Sequence, residues 1–201
     1  MDLAAKDKEK KEAAPKKVSA PDKVDPDKAA LEKAVKEGKV YSLQAMFWDD
    51  PTGFYLGKPK TLHTTYWPIG VAPEVGVWAE GVDHCNKMNH AGVGHWRLPT
   101  MGEWNALGQA TFGGKDFTDG TVYPGDPDLV KTLGYEWGPY WSGDVVENKG
   151  LGGQKNDPNA GDKLVWGFGL NDMAHEDGIG ITGMVGVLDP EKLKLMVLCV
   201  H

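Results

Sequence analysis

The loop at residues 156–162, with the sequence NDPNAGD, concentrates the oxygen-bearing side chains that calcium prefers. Proteins bind calcium through carboxylate, amide and backbone carbonyl oxygens. Asp157, Asn159 and Asp162 offer such ligands, and Gly161 permits a tight turn between them. Because the loop lacks an EF-hand register, two interpretations stay open: a calcium site, or a turn-rich surface loop without metal. Calcium is the one cofactor that the sequence suggests.

A second segment, residues 137–148, combines aromatic, carboxylate and amide side chains. An exposed tryptophan can stack on a sugar ring or anchor a protein partner, and neighbouring polar groups add specificity. The alternative is that the tryptophans belong to the core. The candidate ligand-binding residues are Trp137, Trp141, Asp144, Glu147 and Asn148.

The sequence carries no recognisable catalytic constellation. His84 and His90 are six residues apart in a predicted helix, a spacing that does not place them on one face. A zinc spacing of cysteine pairs, a Ser-His-Asp pattern and a glycine-rich phosphate loop are all missing. We therefore expect no enzymatic activity and no catalytic residue.

The run GHWRLPTMGEW at residues 94–104 predicts a sharp switch from extended chain to helix. Pro99 pushes the residue before it out of the helical region. Thr100 is then placed to cap a helix, and Glu103 completes a capping box. Trp104 and Leu107 give this helix one apolar edge.

This run resembles the WRLPT…EW signature of bacterial C-type-lectin-like domains of the DUF1566 type. That group includes the C-terminal domain of the Legionella collagen-like adhesin, and the formylglycine-generating-enzyme fold is more distantly similar. Four further pieces match in the same order, and together they cover about residues 45–201. They are the DPTG turn at 50–53, the helix from WAE at 78–80 to Cys85, the YWS strand at 140–142 and LCV at 198–200.

The resemblance implies an α+β, C-type-lectin-like fold with two short helices, small antiparallel sheets and long loops. It also implies a disulfide between Cys85 in the first helix and Cys199 in the last strand, which is favoured if the protein is exported; the alternative is two buried free thiols. Ligands are expected at the loops between the second and later strands, with Trp141 in the core and Trp137 exposed. The implied function is a non-enzymatic binding module for a glycan or protein at a bacterial surface; the alternative is a structural subunit of an envelope or extracellular assembly.

Composition narrows the partners. The chain has 201 residues and a formal net charge of −7, and Arg97 is its one arginine. Phosphate binding needs a concentrated basic face, so we expect no nucleic acid partner. No apolar run is long enough to cross a bilayer. Many glycines and eight tryptophans indicate a loop-rich domain with a core of bulky rings.

The first forty residues contain no aromatic side chain and consist mainly of Lys, Asp, Glu, Ala and Pro. Such a segment buries too little apolar area to order itself, which predicts a disordered charged tether at 1–39 before a folded domain at 40–201. Within the tether, Asp27 is placed to cap a short helix over Lys28–Lys36. The segment holds no apolar stretch of a secretory signal. A mature exported protein is favoured, with a cytoplasmic protein bearing reduced thiols as the alternative.

The remaining elements follow from periodicity. A strand at Val40–Trp48 is expected to pair through the 50–53 turn with residues 54–56, followed by an ordered loop at 58–76. Apolar residues at helical spacing from Trp78 through Cys85 to Met88 predict a helix. Long loops are expected at 111–138 and 144–161, and strands at 164–170, 179–188 and 193–200.

Overall fold

The computed structural model describes residues 27–48, 60–115, 122–126, 128–136, 138–147, 163–170 and 186–201. These residues form a mixed α+β structure with short helices and small sheets. None of the helices among them is long and apolar enough to cross a membrane. The helices are α1 (Lys28–Lys36), α2 (Trp78–Lys87), α3 (Met101–Phe112) and α4 (Leu129–Leu133). The strands are β1 (Val40–Trp48), β2 (Lys60–Pro68), β3 (Glu74–Gly76), β4 (Gly114–Lys115), β5 (Val122–Tyr123), β6 (Gly138–Glu147), β7 (Lys163–Leu170), β8 (Gly186–Leu188) and β9 (Leu195–Val197).

The central sheet has five strands in the order β3-β9-β6-β7-β8. Its pairs are antiparallel except for β6 with β9, which run parallel. Two smaller sheets are two-stranded, one formed by β1 and β2 and the other by β4 and β5. The strands predicted at 164–170, 179–188 and 193–200 correspond to β7, β8 and β9. Residues 179–185 lie outside the described residues, and β9 is shorter than predicted, at Leu195–Val197.

The first hairpin forms with a different partner strand from the predicted one. β1 has the expected bounds, but it pairs with β2 from Val40↔Pro68 to Trp48↔Lys60. The prediction of a loop at 58–76 is therefore wrong over β2. Its threonines and aromatics suit a pleated strand, and Thr65 and Trp67 point into the core. The predicted partner at 54–56 lies outside the described residues.

Two predicted loops contain regular structure. Helix α4 lies within 111–138 and buries Leu129, Val130 and Leu133. The helix is only five residues long, so its amphipathic pattern is too short to recognise in the sequence. Strand β6 continues to Glu147, so a loop from Asp144 onward is wrong at its start. The register of β6 against β7 shifts between Trp141 and Val145, which hides the strand's alternation in the sequence.

The interior divides into two hydrophobic clusters. The first, here called the aromatic core, surrounds Trp104 with rings from β2, β6 and β7. The second, the stapled core, surrounds the Cys85–Cys199 pair. Its other fully enclosed members include Trp96, Leu98, Trp141 and Val197.

Helix α1 belongs to the stapled core, which corrects the domain boundary expected at residue 40. The helix has the predicted bounds, and Leu31 and Ala34 are almost completely buried against that core. A segment that buries such residues is part of the folded domain. The folded domain therefore includes α1, and residues 1–26 of the predicted tether lie outside the described residues.

Candidate functional site

The signature run at residues 94–104 folds as its spacing predicts, and its side chains have structural roles. The Thr100 hydroxyl accepts the Glu103 amide at 3.2 Å, and the Glu103 carboxylate accepts the Thr100 amide at 2.7 Å, which closes the capping box. Both Nη atoms of Arg97 donate to the same carboxylate at 2.7 Å. Glu103 is buried, and its hydrogen bond to Arg97 raises the pKa of the guanidinium further above its usual value. Trp96 and Leu98 are buried as expected.

Two of the predicted ligand residues also have structural roles instead of facing a ligand. Trp141 is completely buried, and its indole N–H donates to the Gly76 carbonyl at 2.8 Å. Asp144 is also buried, and its carboxylate accepts the Met101 amide at 2.6 Å at the start of α3. A carboxylate at a helix N-terminus satisfies an otherwise unpaired amide and favours the helix dipole. The prediction of ligand contact is therefore wrong for Trp141 and Asp144, and the alternative of a core role holds for Trp141.

The structure does not describe the side chains of the other predicted site residues. Glu147 ends β6 opposite Lys163, and its backbone alone is described. Trp137, Asn148 and the calcium candidates Asp157, Asn159 and Asp162 lie outside the described residues. Within the described part of the chain, no group of three His, Cys, Asp or Glu side chains is arranged to hold a metal ion.

The disulfide is present. Cys85 of α2 and Cys199, just after β9, are bonded with their Cα atoms 5.4 Å apart. The bond closes a separation of 114 residues, and both half-cystines are buried in the stapled core. It joins the first helix after the hairpin to the end of the chain, as the resemblance implies.

A polar cluster that sequence reasoning missed fastens α1 to the domain. Oδ2 of Asp27 lies 2.7 Å from Nδ1 of His95 and 3.4 Å from Nε2 of His201. The hydrogen bond from His95 lowers the pKa of Asp27 against the opposing effect of desolvation. Asp27 occupies the predicted N-cap position, but its carboxylate makes no capping hydrogen bond. No sequence signal reveals the cluster, because its members come from three distant segments.

His95 adopts a backbone conformation that is unusual for a residue other than glycine. Its φ angle is +56°, in the left-handed region. His95 lies between two backbone pairings, that of His90 with Val93 just upstream and that of Arg97 with Val200 just downstream. The strained residue thus places its ring beside Asp27.

A groove with partly apolar walls lies next to the stapled core. It has a volume of about 870 Å³. Its floor is the surface of β6 and β7, one wall is the first turn of α2, and the other wall is the turn that follows β8. Its lining residues are Val77, Trp78, Ala79, Val145, Leu164, Val165, Asp189, Pro190, Glu191 and Lys192.

Hydrogen bonds fix the two walls relative to the floor. The Trp78 amide donates to the Pro190 carbonyl at 3.3 Å, which joins wall to wall. The Trp78 indole donates to the Ser142 carbonyl at 2.9 Å, which joins the α2 wall to β6. The Val77 amide donates to Glu80 Oε2 at 3.0 Å and so completes the helix start. The groove is thus formed before anything occupies it.

One end of the groove is charged. Lys192 lies 2.6 Å from Asp189 Oδ2, and its hydrogen bond, helped by the Glu191 amide, lowers the pKa of Asp189. Glu191 is exposed at the same rim. Among the side chains that the structure describes at this rim, two carboxylates stand beside one ammonium.

No protein-family model, no curated protein and no solved structure matches the chain.

Proposed function

We propose that the protein is a non-enzymatic binding module with a C-type-lectin-like fold of the DUF1566 type, which recognises a glycan or a protein at a bacterial surface. The observation that carries the proposal is the preformed apolar groove on a frame held by the Cys85–Cys199 bond. Ligand sites are concave, mainly apolar and largely preformed, with a few polar groups at defined places. The groove has each of these features.

The polar side chains of the signature region support binding over catalysis, because structural hydrogen bonds occupy them. Glu103 holds Arg97 and the Thr100 amide, and Asp144 holds the Met101 amide. The Ser142 hydroxyl accepts the Asp144 amide at 3.1 Å. A nucleophile or general base needs a side chain directed at a reacting atom. These groups are instead directed at the backbone and at one another.

The test is a binding screen with the oxidised full-length chain. The labelled protein is applied to a glycan array and to an array of bacterial and host extracellular proteins. We expect saturable binding to a glycan or a protein on one of them. Failure on both arrays at micromolar concentration would argue against a binding module.

A structural subunit of an extracellular assembly is the second candidate, and one observation favours it. Met46 and Leu62 lie directly opposite each other in the β1-β2 hairpin, and their side chains are 43% and 60% exposed. Paired apolar residues on an exposed strand surface suit contact with a neighbouring subunit. Sedimentation of the chain alone and with its co-purifying proteins decides between the two candidates.

Export is the compartment that we propose. A disulfide that closes a long stretch of chain persists in oxidising compartments and is rare in the cytosol. Mass spectrometry of the native protein under non-reducing conditions should find both cysteines bonded. Two alkylatable cysteines in freshly isolated protein would instead indicate a reducing compartment.

We also propose that calcium binds at Asp157, Asn159 and Asp162. If calcium binds there, millimolar calcium should raise the melting temperature of the parent by mass action. It should leave the melting temperature of the triple alanine variant unchanged. An unchanged parent melting curve would remove calcium from the account.

A further inference from the structure

The composition of the groove narrows the class of ligand. Resting on the proposed function, we propose that the groove binds a segment of a partner protein in which an aliphatic or aromatic side chain stands beside a lysine or arginine. The apolar side chain would lie on the floor of β6 and β7, and the cation would lie at the rim formed by Asp189 and Glu191.

The apolar half of the proposal comes from the floor. Val145 lines the groove with 46% of its surface exposed, and Leu164 lines it half-buried. Val77, Ala79 and Pro190 continue this surface up both walls. Burial of apolar area supplies the main free energy of association. A sugar would need hydrogen-bonding side chains along the floor, but the described polar side chains of the groove stand at one end.

The basic half comes from the charge at that end. Asp189 is neutralised by Lys192 at 2.6 Å, and exposed Glu191 adds a second carboxylate at the rim. The whole chain carries a net charge of −7, so its general field also attracts cations. Complementary charge speeds association and selects among partners of similar shape. An acidic segment with the same apolar residues should therefore be rejected.

The rigid walls favour a short linear segment. Since the hydrogen bonds of Trp78 to Pro190 and Ser142 already hold both sides, binding does not have to order the groove. A few residues of an extended chain fill a volume of about 870 Å³.

The experiment uses three capped tetrapeptides and the nitrogen-15 labelled, oxidised full chain. The probes are acetyl-Leu-Lys-Leu-Lys-amide, acetyl-Leu-Glu-Leu-Glu-amide and acetyl-Ser-Lys-Ser-Lys-amide. We expect the first alone to give saturable shifts at the Trp78 indole and at the amides of Val145, Leu164 and Glu191. Raising the salt concentration should weaken its binding, since the rim charge is exposed.

Variants locate the site and supply a matched control. Val145→Lys places a charge on the floor and should weaken binding of the first peptide about tenfold or more, as the loss of an interface anchor does. Glu191→Lys should reverse the preference between the lysine and glutamate peptides. Val75→Lys is the control, because Val75 is 65% exposed on β3 of the same sheet but does not line the groove. It should bind like the parent, and thermal melts should show that all three variants are folded.

The outcomes separate this inference from the proposed function. Equal binding of the leucine-lysine and leucine-glutamate peptides, or shifts confined to residues outside the groove, overturns the inference. A glycan that binds the array and shifts the groove residues also overturns it, while the binding function stands. If none of the three peptides shifts the signals of the groove residues, the inference is overturned as well. If the protein also binds nothing on either array, the proposed binding function fails too.

Discussion

The two cores of this protein reach the same degree of burial by different means. In the aromatic core, Trp104 stacks on Phe168 at 5.2 Å with an angle of 8° between the rings, and Trp67 and Tyr140 lie 5.4 and 5.0 Å away. In the stapled core, two tryptophans, Trp96 and Trp141, and several aliphatic side chains surround a covalent bond, and α1 packs on this cluster. Both cysteines of the chain belong to the stapled core.

The aromatic core therefore depends on the close packing of its rings, whereas the stapled core depends also on a covalent cross-link. Ring packing is lost when a ring is truncated, because the remaining side chains cannot fill the cavity. A disulfide acts largely by restricting the unfolded chain, so its removal weakens the core without opening a large cavity. The proposed binding groove lies against the stapled core, at Val165 and Trp78.

The largest effect is expected from tryptophan truncation. Trp104→Ala should lower the free energy of unfolding by about 3–5 kcal/mol, near the upper end because three ring contacts are lost together. Trp96→Ala in the stapled core should cost a similar or smaller amount, about 3–5 kcal/mol, because the disulfide still holds the elements around it. Urea melts measure both variants. A loss below about 1 kcal/mol for Trp96→Ala would mean that the signature run is not a core anchor.

Removal of the disulfide should come next. The double variant Cys85→Ala, Cys199→Ala should lose about 2–5 kcal/mol, as small secreted domains do without a native bond. The reduced parent serves as the matched control, since it keeps both side chains and loses only the bond. If the two samples unfold at the same urea concentration as the oxidised parent, the staple has no role in stability.

The ion pair between Arg97 of the signature run and Glu103 of α3 should contribute less. Glu103→Ala leaves the Arg97 guanidinium and the Thr100 amide without their acceptor, which should cost about 1–3 kcal/mol. Glu103→Gln keeps the cap and removes the charge, so it should cost less. An alanine variant that is no less stable than the glutamine variant would contradict the contacts at 2.7 Å.

The smallest effect is expected at the docking point of α1. Asp27→Asn removes the carboxylate that His95 and His201 contact, so α1 should become easier to cleave by protease at neutral pH. The pKa of Asp27 is lowered in the folded protein from its ordinary value of 3.8. The ionised carboxylate therefore stabilises the docking of α1 fully at pH values above 3.8. That contribution disappears as the pH falls through the lowered pKa. The variant should lack this acid-dependent step, and an identical pH profile would contradict the proposed contact.

Local signals in the sequence predicted the frame well. The capping box at Thr100 and Glu103, the bounds of α1 and β1, and the helix that carries Cys85 depend on neighbouring residues and were confirmed. The disulfide followed from a resemblance and was confirmed by the structure. That resemblance and the specific fold it implies stay proposals.

Distant pairings were the part that the sequence could not predict. The partner of β1 proved to be β2, and Asp144 turned out to hold the start of α3, because both depend on which segments meet in space. The groove joins α2, β6, β7 and the turn after β8, whose lining residues look like ordinary strand and turn residues. The loop residues that motivated a ligand or calcium site stay predictions.

Hydrogen exchange of the oxidised and reduced protein tests the division into two cores most directly. Protection reports the local opening of each element. Reduction should speed exchange in α1, α2 and β9, which surround the disulfide, while α3 and α4 around Trp104 keep most of their protection. Equal loss of protection in both groups of helices, or no change in α2 and β9, would contradict the account of a stapled core that supports the groove.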